Sequence, residues 1–273
     1  MIVVTGATGN VGRTVVRLLA GDGEQVTAVA RRISGADVPD GVRATPADLA
    51  DPASLRPALN GADALFLLVA GEDPEGVLAV AREAGVRRVV LLSSQGVGTR
   101  PQAYRHPALF EAAVVGSGLD WTVLRSGGMA SNAFAWAEPV RTHRTAAAPF
   151  GDVALPFVDP DDVAAVACVV LRAEGHKGAT YVLTGPEPVT PRQRAAALAD
   201  ALGEPVRFVE QTREEARAQM ARFMPPAVAE GTLSILGDPT PDEQRISRAV
   251  PDLLGRPATA FAQWARRNAA AFR

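Results

Sequence analysis

The sequence predicts an α/β fold, a doubly wound parallel sheet followed by a smaller, mainly helical C-terminal cap. Three observations point to it. Short apolar runs alternate with amphipathic stretches along the first half of the 273-residue chain, at the spacing of strand–helix–strand units. Residues 64–70 are apolar without a break, as a strand covered on both faces requires. From Thr190 onward the periodicity is mainly helical.

Taken in order, residues 2–5 form a buried strand that ends in glycines. Residues 12–20 place Val15, Val16, Leu18 and Leu19 on one helical side, and residues 25–30 and 42–45 are the second and third strands. Residues 51–60 are a helix with Asp51 at its N-cap and Pro52 at its first position. The fourth strand is followed by a helix over 74–84, a fifth strand over 88–92, a helix over 108–116 and a sixth strand over 121–125. Residues 126–150, with Gly127, Gly128, Pro139 and Pro149, are expected to be irregular and to cover the strand ends. Asp159 to Asp162 open a helix running to about Arg172, where carboxylates complement the helix dipole. A strand over 180–184 follows, then helices over 191–202 and 213–223 and a last one ending at Phe272. The expected division is a nucleotide-binding core over 1–125, completed by about 152–184, and a substrate-binding cap from 126–151 and 185–273.

Composition narrows the function. A chain with 47% hydrophobic and 21% charged residues is not disordered. A net charge of -2 offers no global basic field, so neither nucleic acid nor a membrane surface is an expected partner. The single cysteine, Cys168, allows no intrachain disulfide; its neighbours Val166, Ala167, Val169 and Val170 mark it as a small buried hydrophobe. Three dispersed histidines without ligand spacing predict no metal. No apolar run reaches the roughly 18 to 20 residues of a membrane span, and no charged segment precedes the first strand, so a cytoplasmic protein is expected.

The segment Thr5 to Gly12 carries the most information. Gly6, Gly9 and Gly12 follow the first strand directly and open the first helix. Gly6 permits the tight turn, Gly9 lets a pyrophosphate approach the backbone, and Gly12 lets helix and strand pack closely. The helix N-terminus then offers free N–H groups to the phosphates. This is a Rossmann-like dinucleotide site. After the second strand, where an acid would bind the ribose of NAD, the chain has Arg31 and Arg32. A guanidinium binds a 2′-phosphate bidentately, so NADP(H) is expected in preference to NAD(H). The alternative is two solvated arginines.

Thr5 to Gly12, Ala47-Asp48-Leu49, Ser93-Ser94, the stretch Ser117 to Arg125, the stretch Gly175 to Pro186 and the segment from Gly255 to Trp264 together resemble the NmrA-like branch of the atypical short-chain dehydrogenases/reductases. That branch includes triphenylmethane-reductase-like and NADPH:quinone-reductase-like enzymes. The resemblance covers essentially the whole chain. It implies that Thr8, Gly9, Asn10 and Val11 wrap the pyrophosphate and that Arg31 meets the 2′-phosphate. Asp48 and Leu49 would lie by the adenine, and Leu68, Val69 and Ala70 by the adenosine ribose. Ser93 and Ser94 would lie near the nicotinamide ribose, with Ser126, Gly127 and Gly128 near the nicotinamide. Ser126 stands where the branch usually has proline.

The family's usual Tyr-x-x-x-Lys pair is absent. Lys177 is the one lysine, Tyr104 has Ala108 four residues on, and Tyr181 follows Lys177 in the reversed order. If a protein acid exists, Tyr104 and His106 are the candidates, with surface structure as the alternative. His143, Met129, Phe134 and Trp136 are candidate substrate-pocket residues, or else packing beneath the cap. The expected activity is hydride transfer from NADPH to a small aromatic, quinone-like or conjugated carbonyl substrate by a monomer or homodimer. The alternatives are a redox sensor that binds NADP(H) without turnover and regulates a protein partner, and an epimerase or isomerase.

Overall fold

The computed structural model describes residues 1–273. Nine strands form: β1 (Ile2–Thr5), β2 (Val26–Ala30), β3 (Arg43–Pro46), β4 (Ala64–Leu68), β5 (Arg88–Ser94), β6 (Asp120–Ser126), β7 (Thr145–Pro149), β8 (Ala179–Leu183) and β9 (Arg207–Gln211). The helices are α1 (Asn10–Gly21), α2 (Arg56–Leu59), α3 (Pro74–Glu83), α4 (Gly96–Thr99), α5 (Arg105–Gly116), α6 (Ala137–His143), α7 (Pro160–Arg172), α8 (Pro191–Leu202), α9 (Arg213–Met220), α10 (Pro226–Gly237), α11 (Pro241–Gln244), α12 (Ala249–Leu254) and α13 (Phe261–Arg267). No helix is long and apolar enough to cross a membrane.

Seven strands make one parallel sheet in the order β3-β2-β1-β4-β5-β6-β8. The order reverses between β1 and β4, and ligands of such sheets bind in the crevice at the carboxyl ends of the strands there. Buried Thr5 holds this junction: its hydroxyl donates to the Phe66 carbonyl at 2.9 Å and accepts from the Leu68 N–H at 3.1 Å. One face of the sheet is covered by Val15, Val16 and Leu19 of α1 with Val166 and Val170 of α7. Val77 of α3 and Phe110 and Val114 of α5 cover the other. Both layers follow from the apolar stripes of these helices. Cys168 lies in the first layer, where burial pushes its thiol up to about 12, so it is no nucleophile.

The first six strands and their helices fall where the alternating pattern places them. The differences lie mainly beyond Arg125. Residues 126–150 are not irregular: a 3₁₀ stretch, Ala130–Trp136, leads into α6 and β7, and β7 pairs in parallel with β9. Thr-Ala-Ala-Ala-Pro has no alternation to betray a strand, and its partner lies some 60 residues away. Helix α10 was not expected either. The helix over 51–60 is a 3₁₀ turn, Pro52–Leu55, continued by α2.

The C-terminal segments pack around Trp136, Leu198, Phe261, Trp264 and Phe272. They are tied to the sheet through the acidic start of α7. Asp159 caps α7 by accepting from Asp161 N–H and also takes two hydrogen bonds from Arg267, at 2.6 and 2.8 Å. Fully buried Asp162 accepts from the Thr259 N–H and hydroxyl and pairs with Arg256. The Asp-Pro-Asp-Asp run therefore both starts a helix and anchors the chain end.

Candidate active site

The glycine turn has the geometry its spacing implies. Gly6 adopts a φ of +62°, which side chains rarely tolerate. A Cβ on Gly12 would come within 2.2 Å of the Gly6 carbonyl oxygen, so α1 packs against the turn at a distance only glycine allows. Thr8, Gly9 and Asn10 are exposed, while Val11 and Gly12 are buried. Helix α1 has no side-chain cap on its first N–H groups and no acidic residue in its first turn. Its N-terminus is thus left free to receive an anion. By contrast Asp73 caps α3 and Asp159 caps α7, whereas α5, like α1, has neither a side-chain cap nor an acid in its first turn.

Arg31 and Arg32 follow β2, exposed and outside any ion pair. Asp48 is exposed and accepts the Ala50 N–H, which shapes the turn after β3, while Leu49 is buried. Leu68, Val69 and Ala70 are half-buried at the end of β4; a Cβ on Gly6 would fall 1.8 Å from the Leu68 side chain. The glycine turn, an uncapped helix, two free arginines and the strand-order reversal all fit a phosphorylated dinucleotide.

A cavity of about 650 Å³ opens at the carboxyl ends of β5 and β6. Ser94, Ser126, Gly127, Gly128, Met129, Trp136 and Tyr104 all line it, so seven of the sequence-derived candidates converge there. Gly128 lies against the Phe157 ring, which a Cβ would approach to 2.8 Å. Leu155 and Phe157 supply more of the apolar wall, and Met220 of α9 with Phe223 and Met224 beyond it closes the outer side.

Four candidates sit elsewhere. His106 does not enter the cavity: its Nε2 is 2.7 Å from the Gly71 carbonyl and 3.6 Å from Glu72, bridging the loop after β4 to α5. His143 is exposed at the end of α6. Phe134 faces away from the cavity, stacked on Phe272 and edge-on to Trp264, because these rings form the cap's own core. The Ser93 hydroxyl donates to Glu111 at 2.6 Å rather than pointing to the cavity, and Arg125 binds the same carboxylate with two nitrogens. Lys177 pairs with Asp120 at the amino end of β6, remote from the cavity, and Tyr181 is bonded to His176.

Three ionisable side chains line the cavity. Burial raises the Tyr104 phenol above its ordinary value, opposed by the hydrogen-bonding Thr232 side chain, so it stays protonated at neutral pH. Glu243 is buried, and burial opposes its charge. The Arg100 guanidinium, bound to both its oxygens at 2.9 and 3.0 Å, and the Thr240 N–H outweigh that and hold its carboxyl below the usual range. Arg194 of α8 is buried too, and burial lowers its guanidinium to about 10. Sequence reading passed over Arg194, Glu243 and the α9–α10 wall. The available signal for Arg194 was its four-residue spacing from Leu198, which sets an arginine on the apolar stripe of α8.

A family model described as NAD(P)H-binding matches residues 6–174. Over 281 aligned residues the chain is 40% identical to the (4-alkanoyl-5-oxo-2,5-dihydrofuran-3-yl)methyl phosphate reductase of Streptomyces griseus, covering 100% of this chain and 99% of that protein. It is 33% identical to the NAD(P)H azoreductase of Xenophilus azovorans, with coverage of 100% and 99%. Among solved structures, the NADPH-dependent quinone oxidoreductase of Escherichia coli in complex with NADPH superposes with a TM-score of 0.82, at 27% identity over 98% of this chain and 99% of that one. The chain therefore belongs to the NAD(P)H-binding family and is an NAD(P)H-dependent reductase.

Proposed function

We propose that this reductase prefers NADPH to NADH and passes hydride to an electron-poor conjugated acceptor, a quinone or an unsaturated carbonyl compound. The observation that carries the reading is the cavity itself. It starts at Ser94 and Ser126, has an apolar wall of Met129, Trp136, Leu155 and Phe157, and contains no lysine and no histidine. Burial raises the Tyr104 phenol despite Arg100 nearby, so a reaction there does not rest on a tyrosine acidified by a neighbouring cation. Acceptors whose reduced anion is already delocalised, and which take their proton from water, suit such a site. The relatives' named acceptors, an unsaturated furanone, azo compounds and quinones, share that electronic character.

The N–H groups of Thr8 to Val11 hold the pyrophosphate, and Arg31, with Arg32 beside it, pairs with the 2′-phosphate. Asp48 and Leu49 flank the adenine, Leu68 to Ala70 the adenosine ribose, Ser94 the nicotinamide ribose, and Ser126 to Gly128 the nicotinamide, while Ser93 is taken up by Glu111. When bound, the dinucleotide supplies hydride from its reduced nicotinamide. Met129, Trp136 and Phe157 orient the acceptor and exclude water around it. The Tyr104 hydroxyl donates a hydrogen bond to the developing oxyanion. In this reading residues 1–125 with 152–184 bind the nucleotide, and 126–151 with 185–273 bind the substrate.

Titration with NADPH, NADP+ and NADH, followed by loss of reduced-nicotinamide absorbance across a panel of quinones and conjugated carbonyls, tests the proposal. NADPH-selective binding with acceptor-dependent oxidation is expected. Tight binding without consumption across the panel would return the redox-sensing alternative, and absence of binding would refute both.

A further inference from the structure

We infer that the acceptor carries an oxyanion, a phosphate monoester or a carboxylate, and that Arg194 is the residue that binds it. The inference rests on reading the 650 Å³ cavity as the acceptor site. Arg194 lines that cavity at 6% exposure. Its guanidinium pairs with no carboxylate, and its Nε has no hydrogen-bond partner. It is held instead by aromatic rings: its Cζ lies 4.0 Å from the centroid of Phe157 and 4.9 Å from that of Trp136. Such contacts steady a guanidinium while leaving its five N–H donors unused. Their fork geometry matches an oxyanion bidentately.

The surrounding charges give the same result. Tyr104 is neutral, and Glu243 is already neutralised by Arg100. The cavity is therefore left with one uncompensated positive charge. A guanidinium still protonated at neutral pH, buried and unpaired, burdens the fold. An apolar side chain of similar volume would not, and a ligand oxyanion removes the burden.

The test uses protein saturated with NADP+, so that the glycine turn and Arg31 are occupied and only the acceptor cavity is free. Phenyl phosphate, benzoate and benzyl alcohol are titrated by calorimetry. The two anions should bind at least about tenfold more tightly than the alcohol, the range for hydrogen bonds to a charged group being roughly 10- to 150-fold. Whichever anion binds more tightly identifies the headgroup. Arg194→Met should abolish the preference, leave NADPH affinity unchanged and keep or raise Tm, a combination that a purely structural role would not produce. Arg194→Lys should retain part of the preference, and it decides the matter if the methionine variant fails to fold. Equal binding of all three ligands to the wild type, or a preference that survives Arg194→Met, would overturn the inference. Failure of NADPH to bind would instead overturn the reductase reading, and the same ligands titrated into cofactor-free protein would still judge Arg194.

Discussion

Gly9 and Gly12 stand three residues apart in one turn, and the structure predicts opposite consequences for adding a methyl group to each. At Gly12 the new Cβ would sit 2.2 Å from the Gly6 oxygen, 2.7 Å from the Gly6 carbonyl carbon and 3.2 Å from the Ala7 Cα. These neighbours are backbone, and the first contact is more than about 1 Å inside van der Waals distance, so α1 must move away from β1. Overpacking of this kind costs about 2 kcal/mol, or roughly 4–8 °C in Tm for a chain of this size. At Gly9 the Cβ would meet only the Gly6 oxygen, at 3.2 Å. The backbone there, φ -83° and ψ 174°, is open to any residue, and the position is exposed. Gly9→Ala should thus melt within about 1 °C of the wild type. Under the proposed cofactor placement its methyl nevertheless stands where the pyrophosphate approaches the α1 N-terminus. Losing one charge-assisted hydrogen bond there raises the NADPH Kd by roughly 10- to 150-fold. Thermal melts and NADPH titrations of both variants separate the effects. If Gly9→Ala binds NADPH like the wild type, the cofactor does not approach the backbone at Gly9. If Gly12→Ala melts like the wild type, the close contact of α1 with the turn is not what requires glycine.

Arg31→Ala should raise the NADPH Kd by roughly 10- to 100-fold while leaving NADH affinity and Tm unchanged, because Arg31 is exposed and outside any ion pair; an equal loss for both nucleotides would show that it does not read the 2′-phosphate. Ser93→Ala removes a buried 2.6 Å hydrogen bond to Glu111 and should lower unfolding stability by about 1–2 kcal/mol in urea with NADPH affinity intact. Glu243→Gln should cost roughly 1.5–3 kcal/mol at neutral pH. Arg100 and the Thr240 N–H hold the Glu243 carboxyl below its ordinary 4.5. The stabilisation is therefore present above about pH 4.5 and lost as pH falls through the folded-state value, so urea melts of the variant and the wild type should converge in acid. A gap independent of pH would assign the loss to packing instead.

The parallel sheet and the glycine turn were readable because their determinants are local. Gly6, Gly9 and Gly12 act within one turn, Arg31 and Arg32 follow directly from the end of β2, and the unbroken apolar run of β4 reports burial on both faces. The histidines were not readable in this way. His106 lies two residues from Tyr104, yet α5 turns it toward Gly71 while Tyr104 faces the cavity. Phe134 and Trp136 are equally close in sequence, but only Trp136 reaches the cavity; Phe134 is taken up by Trp264 and Phe272 from the end of the chain. The β7–β9 pair was hidden because its register joins Thr145 to Arg207 across a long separation that no periodicity spans.

By itself, the sequence determined the parallel α/β architecture, the glycine turn between β1 and α1 and the absence of a Tyr-x-x-x-Lys pair, since each depends on periodicity, on a few consecutive residues or on a count. Tertiary structure alone decided which side chains share the cavity and in what charge state. Arg194 resembles the other 26 arginines in the chain until packing buries it against Phe157 and Trp136 without a carboxylate, while Glu243 loses its influence to Arg100, 143 residues away. Burial and pairing arise from segments distant along the chain, and they decide which charges remain for a ligand to meet.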